Sequence, residues 1–345
     1  MIPAREHLLP TDHARFSQCH ASTLVLLPDG DVVVAFFAGA REGEGDTAIW
    51  IARRSDGRWD DPQRLMAEPG VPHWNPVLHA EGNNVWLFYK TGATVHDWIT
   101  RWAASTDGGR SWSNSSLLVP GDASPRGPVK NKLIVMSNDE WLAPASVETE
   151  TTWDAFVDVS HDRGEHWERC DIPLVHVQPG ARREGAMWDG LASNALWESD
   201  VDTVFAWDGV IQPTLWESVP GSIHALMRST RGHVFRSDSF DYGRTWCPAY
   251  STPLPNNNSG IDAVRTDDGR VALVHNPVEG NWGRRYPLTL TVSRDNGEKW
   301  EHLLDLETEA GEFSYPAVIA QGDCLHVAWT WNRRTIAYRC VPLAD

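Results

Sequence analysis

Along the chain, short runs of apolar residues are broken by a turn signal and then resume. Thr23-Leu24-Val25-Leu26-Leu27 leads into Pro28-Asp29-Gly30, and Val32-Val33-Val34-Ala35-Phe36 follows. Runs of this length, rich in β-branched residues and bounded by Pro, Asp and Gly, read as strands rather than helices. The same strand–turn–strand pattern surrounds Glu81-Gly82, Asn138-Asp139, Pro220-Gly221, Asp267-Asp268-Gly269 and Gln321-Gly322, which makes six units. The pattern predicts an all-β protein.

A second periodicity lies on top of the first. Ser-x-Asp-x-Gly-x-x-Trp occurs at Ser105 to Trp112, Ser160 to Trp167, Ser239 to Trp246 and Ser293 to Trp300, with a shortened copy in Ser55-Asp56-Gly57-Arg58-Trp59. These residue types suit a tight hairpin: the Asp carboxylate accepts backbone N–H groups across the turn, Gly takes a positive φ, and Trp folds back over the loop. Neighbouring full copies stand 54 or 55 residues apart, except that Ser160 and Ser239 are separated by 79. The excess is an insertion at about 180–209, rich in Trp (Trp188, Trp197, Trp207) and acidic residues, and placed to form a loop or short helix over one face. Four strands in about 50 residues is the repeat of a β-propeller. The expectation is a single six-bladed propeller over 1–345, in which the segment before Cys19 supplies the outer strand that the last unit lacks.

Composition narrows the function. The 345 residues are 41% hydrophobic, enough for a substantial core, and the 19 Trp against 6 Tyr fit one Trp recurring per structural unit. A formal charge of −17 argues against nucleic acid or an anionic membrane as partner, because phosphates need a basic surface. Cys19, Cys170, Cys247, Cys324 and Cys340 are scattered, without CxxC spacing, and read as reduced thiols. The 14 His show neither HxH nor HExxH spacing, so no metal or other cofactor is expected. With no apolar region near the N-terminus and no long apolar stretch, the expected location is the cytoplasm.

In a propeller the innermost strands begin near the central axis, so residues far apart in sequence converge there. The strand starts read Cys19-His20-Ala21-Ser22, His73-Trp74-Asn75-Pro76, Lys130-Asn131-Lys132, Ile211-Gln212-Pro213-Thr214, Ser259-Gly260-Ile261-Asp262 and Ser314-Tyr315-Pro316-Ala317. Polar and aromatic residues at the mouths of apolar strands suit a ligand site better than a core. This places Trp74, Asn75 and Asp262 among the candidate substrate contacts. His20, Lys90, Lys130, Lys132, Arg228 and Arg285 would make the funnel cationic inside an acidic protein, which favours a small anionic ligand.

The repeats resemble the Asp boxes of sialidases, and the phrases CHAST, WNPVL, KNK, IQPT, NSGID and GEFSYP resemble a sialidase-like (BNR, Asp-box) propeller group of bacteria and plants. The resemblance implies carbohydrate chemistry. Segment 37–54 resembles the sialidase loop that holds the acid/base aspartate, which points to Asp46 as general acid with Arg41 beside it. Arg228 and Arg285 match the second and third arginines of the carboxylate-binding triad, and Tyr315 matches the nucleophilic tyrosine. Where sialidases place their first arginine this chain has Cys19-His20-Ala21-Ser22, and where they place the glutamate that assists the tyrosine it has Gln212, which cannot take a proton. The leading expectation is a glycoside hydrolase acting on a terminal acidic sugar, a uronate or ulosonate. The alternatives are a polysaccharide lyase, with His20 or Tyr315 abstracting the proton α to a uronate carboxylate, and a non-catalytic carbohydrate-binding propeller.

Overall fold

The computed structural model describes residues 3–177 and 198–343. Most of the insertion expected at 180–209, with Trp188 and Trp197, lies outside the described residues; its end, 198–209, lies within them.

The regular secondary structure of the described residues is almost entirely β, organised in antiparallel units of four strands. The first unit holds Gln18–Leu26, Val32–Gly39, Ala48–Ser55 and Gln63–Met66, and the later units repeat that order. An eight-stranded sheet contains two such units, joined where Trp141–Glu148 and Thr152–Ser160 meet Asp208–Val219 through a short parallel pairing of Thr152 with Asp208 and Trp153 with Gly209. The last unit, Phe313–Gln321, Cys324–Trp331 and Thr335–Pro342, takes its fourth strand from the other end of the chain. There Glu6 pairs with Tyr338 and His7 with Ala337, as the sequence led one to expect.

Apolar clusters weld consecutive units together. Val25 and Val33 of the first pack with Leu78 and Val85 of the second, and Ala272 and Leu290 of the fifth pack with Val318 and Val327 of the last. Leu24 and Phe36 of the first pack in turn with Ala328 and Tyr338 of the last. Because each unit is covered on both faces, its inner strands are buried nearly throughout. This explains why their sequences read as continuous apolar runs and not as strict alternation.

The four Ser-x-Asp-x-Gly-x-x-Trp hairpins share one hydrogen-bond plan. At Ser239 the hydroxyl donates to Asp241 Oδ1 at 2.8 Å and accepts Gly243 N–H at 3.0 Å. Asp241 Oδ1 accepts Thr245 N–H at 2.8 Å, and Trp246 Nε1 donates to the Gly243 carbonyl at 2.8 Å. Gly243 has φ +78°, a conformation that L side chains rarely adopt, which accounts for the glycine of the repeat.

One feature of the inner strands positions the site. Four of them carry a bulge near their start, between His20 and Thr23, Trp74 and Val77, Ile211 and Thr214, and Ser314 and Ala317. In each bulge the residue after the first partner is left-handed: Ala21 (φ 56°), Asn75 (38°), Gln212 (55°) and Tyr315 (49°). Lys130 at the third unit has φ 61°. A non-glycine residue held in this region costs roughly 1–3 kcal/mol, and such strain concentrates at functional sites. In the fifth unit Gly260 takes the corresponding place. A Cβ there would lie 2.9 Å from Lys130 Cε and 3.3 Å from the Tyr315 ring, so the inner strands approach one another too closely for a side chain.

Candidate active site

The bulged residues Asn75, Gln212 and Tyr315 open onto one narrow pocket, walled by Trp74, Val95, Trp98, Trp153 and Trp282 and completed by Glu42, Glu148 and Arg228. The remaining side chains follow a rule of topology. In an antiparallel unit the second strand ends, and the third begins, at the same edge at which the inner strand starts. The connection between second and third strands therefore delivers Glu42 in the first unit, Trp98 in the second and Glu148 with Trp153 in the third. It delivers Arg228 in the fourth, Trp282 with Arg285 in the fifth and Arg333 in the last.

Arg228 is the pivot. The residue is 2% exposed. Nη1 donates to Tyr315 Oη at 2.6 Å and to Gln212 Oε1 at 3.3 Å, while Nε donates to Asn258 Oδ1 at 3.0 Å and Nη2 to the Asn258 carbonyl. Its Cζ lies 5.8 Å from the ring centres of both Trp153 and Trp282 and 5.6 Å from that of Tyr315, within reach of cation–π attraction. Every hydrogen-bond partner is a neutral oxygen. Among the described residues no carboxylate is bonded to this buried cation.

Two further arginines stand behind Tyr315, and both are neutralised. Arg285 Nη1 donates to Glu312 Oε1 at 2.8 Å and to Ser314 Oγ at 3.2 Å. Arg333 Nε donates to Glu312 Oε2 at 2.8 Å, and its Nη1 donates to Glu42 Oε2 at 2.6 Å. Burial alone would weaken the charge on Arg333; Glu312 and Glu42 outweigh it and hold the guanidinium well above its ordinary value. Arg333 lies in a turn beside Arg334, and Glu42 in a loop with Glu44 and Asp46, so neither stands out in the sequence.

His20 packs its ring against Tyr315, with centroids 4.1 Å apart. Burial, followed by the nearby arginines and Lys130, drives its pKa well below the ordinary histidine value, so it is a neutral imidazole. Glu148 is 4% exposed, and its Oε1 has no hydrogen-bond partner among the described residues. Burial pushes its pKa up to about 7, against the pull of Arg228 and Lys90.

Several residues expected at the site sit elsewhere. Asp46 is exposed, both its oxygens accept the Ala40 N–H (3.0 and 3.2 Å), and it lines a separate open cleft with His13, Arg15, Arg64 and Arg334. The loop turns Glu42, not Asp46, toward the pocket, while Arg41 is exposed. The expected cationic lysines are structural. Lys130 Nζ donates to the carbonyls of Ile261 and Pro316 at 2.6 Å each, tying the inner strands together beneath the pocket. Lys90 Nζ donates to Thr100 Oγ1 at 2.5 Å and to the Arg126 carbonyl. Lys132 pairs with Asp262 at 2.9 Å, and Asp262 is engaged further by Thr214 Oγ1 and Val318 N–H. Burial lowers Lys90 and Lys130 to about 7 each. The funnel's charge thus resides in arginines, which stay protonated when buried where lysines do not.

The described end of the insertion buttresses one wall. The helix Val201–Ala206, capped by Asp200 accepting from Thr203 N–H, buries Val204 and Phe205. Trp207 packs against Trp153 with ring centroids 4.7 Å apart and planes tilted by 30°, and meets Trp282 edge-on at 5.2 Å. It supports the aromatic wall from behind.

The family model described as a BNR repeat-like domain matches residues 30–327. Among solved structures, the chain is similar to a Hadza microbial sialidase at 16% identity and a TM-score of 0.74, covering 98% of this chain and 68% of that one. It is similar to a protein of unknown function from Dyadobacter fermentans at 15% and 0.72, covering 99% and 100%. It is similar to the Trypanosoma rangeli sialidase in complex with sialic acid at 16% and 0.68, covering 96% of this chain and 55% of that one. The chain therefore spans little more than half of the trypanosomal enzyme, and at these identities the likeness is one of fold. A search of curated proteins finds no match.

Proposed function

The chain belongs to the BNR repeat-like domain family, and from that premise we propose that it is a glycoside hydrolase of the sialidase-like superfamily, folded as a six-bladed β-propeller and acting on a terminal acidic sugar. Six four-stranded units, apolar clusters that join the last unit to the first, and the N-terminal strand completing the last sheet support the propeller reading.

The observation that carries the function is Arg228. A buried guanidinium whose hydrogen-bond partners are all neutral lacks a bonded counter-charge, and an anionic ligand in the adjacent pocket supplies it. Tryptophan walls suit a sugar ring, whose C–H faces lie flat on aromatic surfaces while its hydroxyls reach the polar groups at the edges. Tyr315, 2.6 Å from that cation, is the nucleophile. A phenol attacks the anomeric carbon beside a substrate carboxylate without setting two anions against each other. Arg285 and Arg333 fix the floor through Glu312, and Gln212 orients Arg228 without taking a proton.

The test is a screen of wild type and Tyr315→Phe against aryl glycosides of sialic acid, Kdo and uronic acids and against uronate-containing oligosaccharides. Released aglycone and ultraviolet absorbance are read together. Aglycone release that disappears in the variant supports the hydrolase and identifies the sugar. One observation favours a lyase as second reading: the neutral His20 ring lies against Tyr315, with Nδ1 buried and unpartnered among the described residues. A lyase raises ultraviolet absorbance, through a conjugated double bond, without releasing aglycone. Silence in both channels favours a pocket that only binds.

A further inference from the structure

We propose that Glu148 is the proton donor of this pocket, the role that the sequence assigned to Asp46. The inference rests on the hydrolase reading and deepens it. Two carboxyl groups line the pocket with Tyr315, and they differ in their surroundings. Glu42 is tied to Arg333 by a 2.6 Å ion pair. Glu148 stands at the end of Trp141–Glu148, on the edge that faces the pocket, with Oε1 buried and free of partners among the described residues. Unpaired carboxylate oxygen in a dry site is costly; the protonated acid is the form that such a site tolerates.

The charged and titratable groups acting on Glu148 are Arg228 and Lys90, which favour its anion, and Glu42, which opposes it; Ser146 lies beside it. Behind Lys90 stand Asp158 and Arg126. Burial outweighs them, and the group titrates near neutrality. A substrate carboxylate bound at Arg228 removes part of the cation's pull and holds the proton on Glu148 more firmly. Binding thus arms the acid. Asp46 is solvent-exposed, accepts the Ala40 N–H and lines a different cleft.

Glu148 gives its proton to the glycosidic oxygen as the bond to the anomeric carbon breaks, with the electron pair going to that oxygen. A lone pair of Tyr315 Oη forms the new bond to carbon, and the phenolic proton leaves to solvent water. In the second half, Glu148 as carboxylate takes a proton from water, whose oxygen attacks the anomeric carbon. Tyr315 Oη leaves with its pair and takes a proton back from solvent.

The experiment compares Glu148→Gln with wild type on glycosides of good (dinitrophenyl) and poor (alkyl or oligosaccharide) leaving groups. Thermal midpoints are measured alongside, because Gln copies the shape and neutrality of the protonated acid. Proton donation matters only for a poor leaving group, so kcat/KM should fall about 10³-fold for the poor and less than about 10-fold for the good. The alkaline limb of the wild-type pH profile, near neutrality, should vanish in the variant, and Glu148→Asp should restore part of both. Equal losses on both leaving groups, or a retained alkaline limb, overturn the donor role and leave the hydrolase reading standing. The same leaving-group split in Asp46→Asn moves the role back to Asp46. If wild type cleaves none of the glycosides, the hydrolase reading fails and the donor role falls with it.

Discussion

The phenol of Tyr315 and the guanidinium of Arg228, 87 residues apart in the chain, meet through a 2.6 Å hydrogen bond at the floor of a tryptophan-walled pocket. The pair brings together a strained bulge and the end of a second strand, two elements that converge only when the four-stranded units pack side by side. In the proposed mechanism Arg228 serves both the nucleophile and the ligand's charge, and a point charge cannot replace its fork. Arg228→Lys is expected to lower kcat/KM by about 10²–10³-fold while the protein stays folded, with turnover and KM both affected. Steady-state kinetics beside a circular-dichroism melt checks this.

Arg333 makes a different prediction. It is 3% exposed and is the shared partner of Glu42 and Glu312. Arg333→Met leaves two buried carboxylates short of their cation, and an uncompensated buried charge costs about 3–5 kcal/mol. Urea unfolding should show a marked fall in midpoint. An unchanged midpoint would mean that the carboxylates find other partners.

Lys130 ties stability to pH. Its native pKa is lowered to about 7 by burial, while the unfolded chain keeps the ordinary lysine value of 10.5. Between these values the unfolded state holds the extra proton, so this residue makes stability rise with pH over that window. In Lys130→Met the slope of unfolding free energy against pH should be shallower there by about 1.4 kcal/mol per pH unit. Denaturation at a series of alkaline pH values reads the difference. A slope equal to that of wild type would mean that Lys130 keeps its proton when folded.

Much of this architecture was legible in local sequence. The Ser-x-Asp-x-Gly-x-x-Trp hairpins carry their own hydrogen-bond donors, acceptors and covering ring within eight residues, so each copy announces itself. Tyr315, Gln212, Trp74 and Asn75 were legible too, because they stand at the starts of recognisable strands. Glu42, Glu148, Trp98, Trp153, Trp282 and Arg333 were not. They reach the pocket from connections whose direction depends on how whole units pack, and in sequence they look like ordinary loop or strand-end residues. Lys90 and Lys130 misled for the converse reason: a lysine near a strand mouth looks like a ligand contact until its ammonium is found among backbone carbonyls.

Whether Tyr315 attacks an acidic sugar held beside Arg228 is decided by intact-protein mass spectrometry. Wild type is rapidly quenched during turnover of a fluorinated analogue of whichever acidic glycoside it cleaves, and the peptides are then mapped. The expected result is one added glycosyl unit, located on Tyr315 and absent from Tyr315→Phe. Turnover that persists in Tyr315→Phe with no adduct on either protein would contradict it.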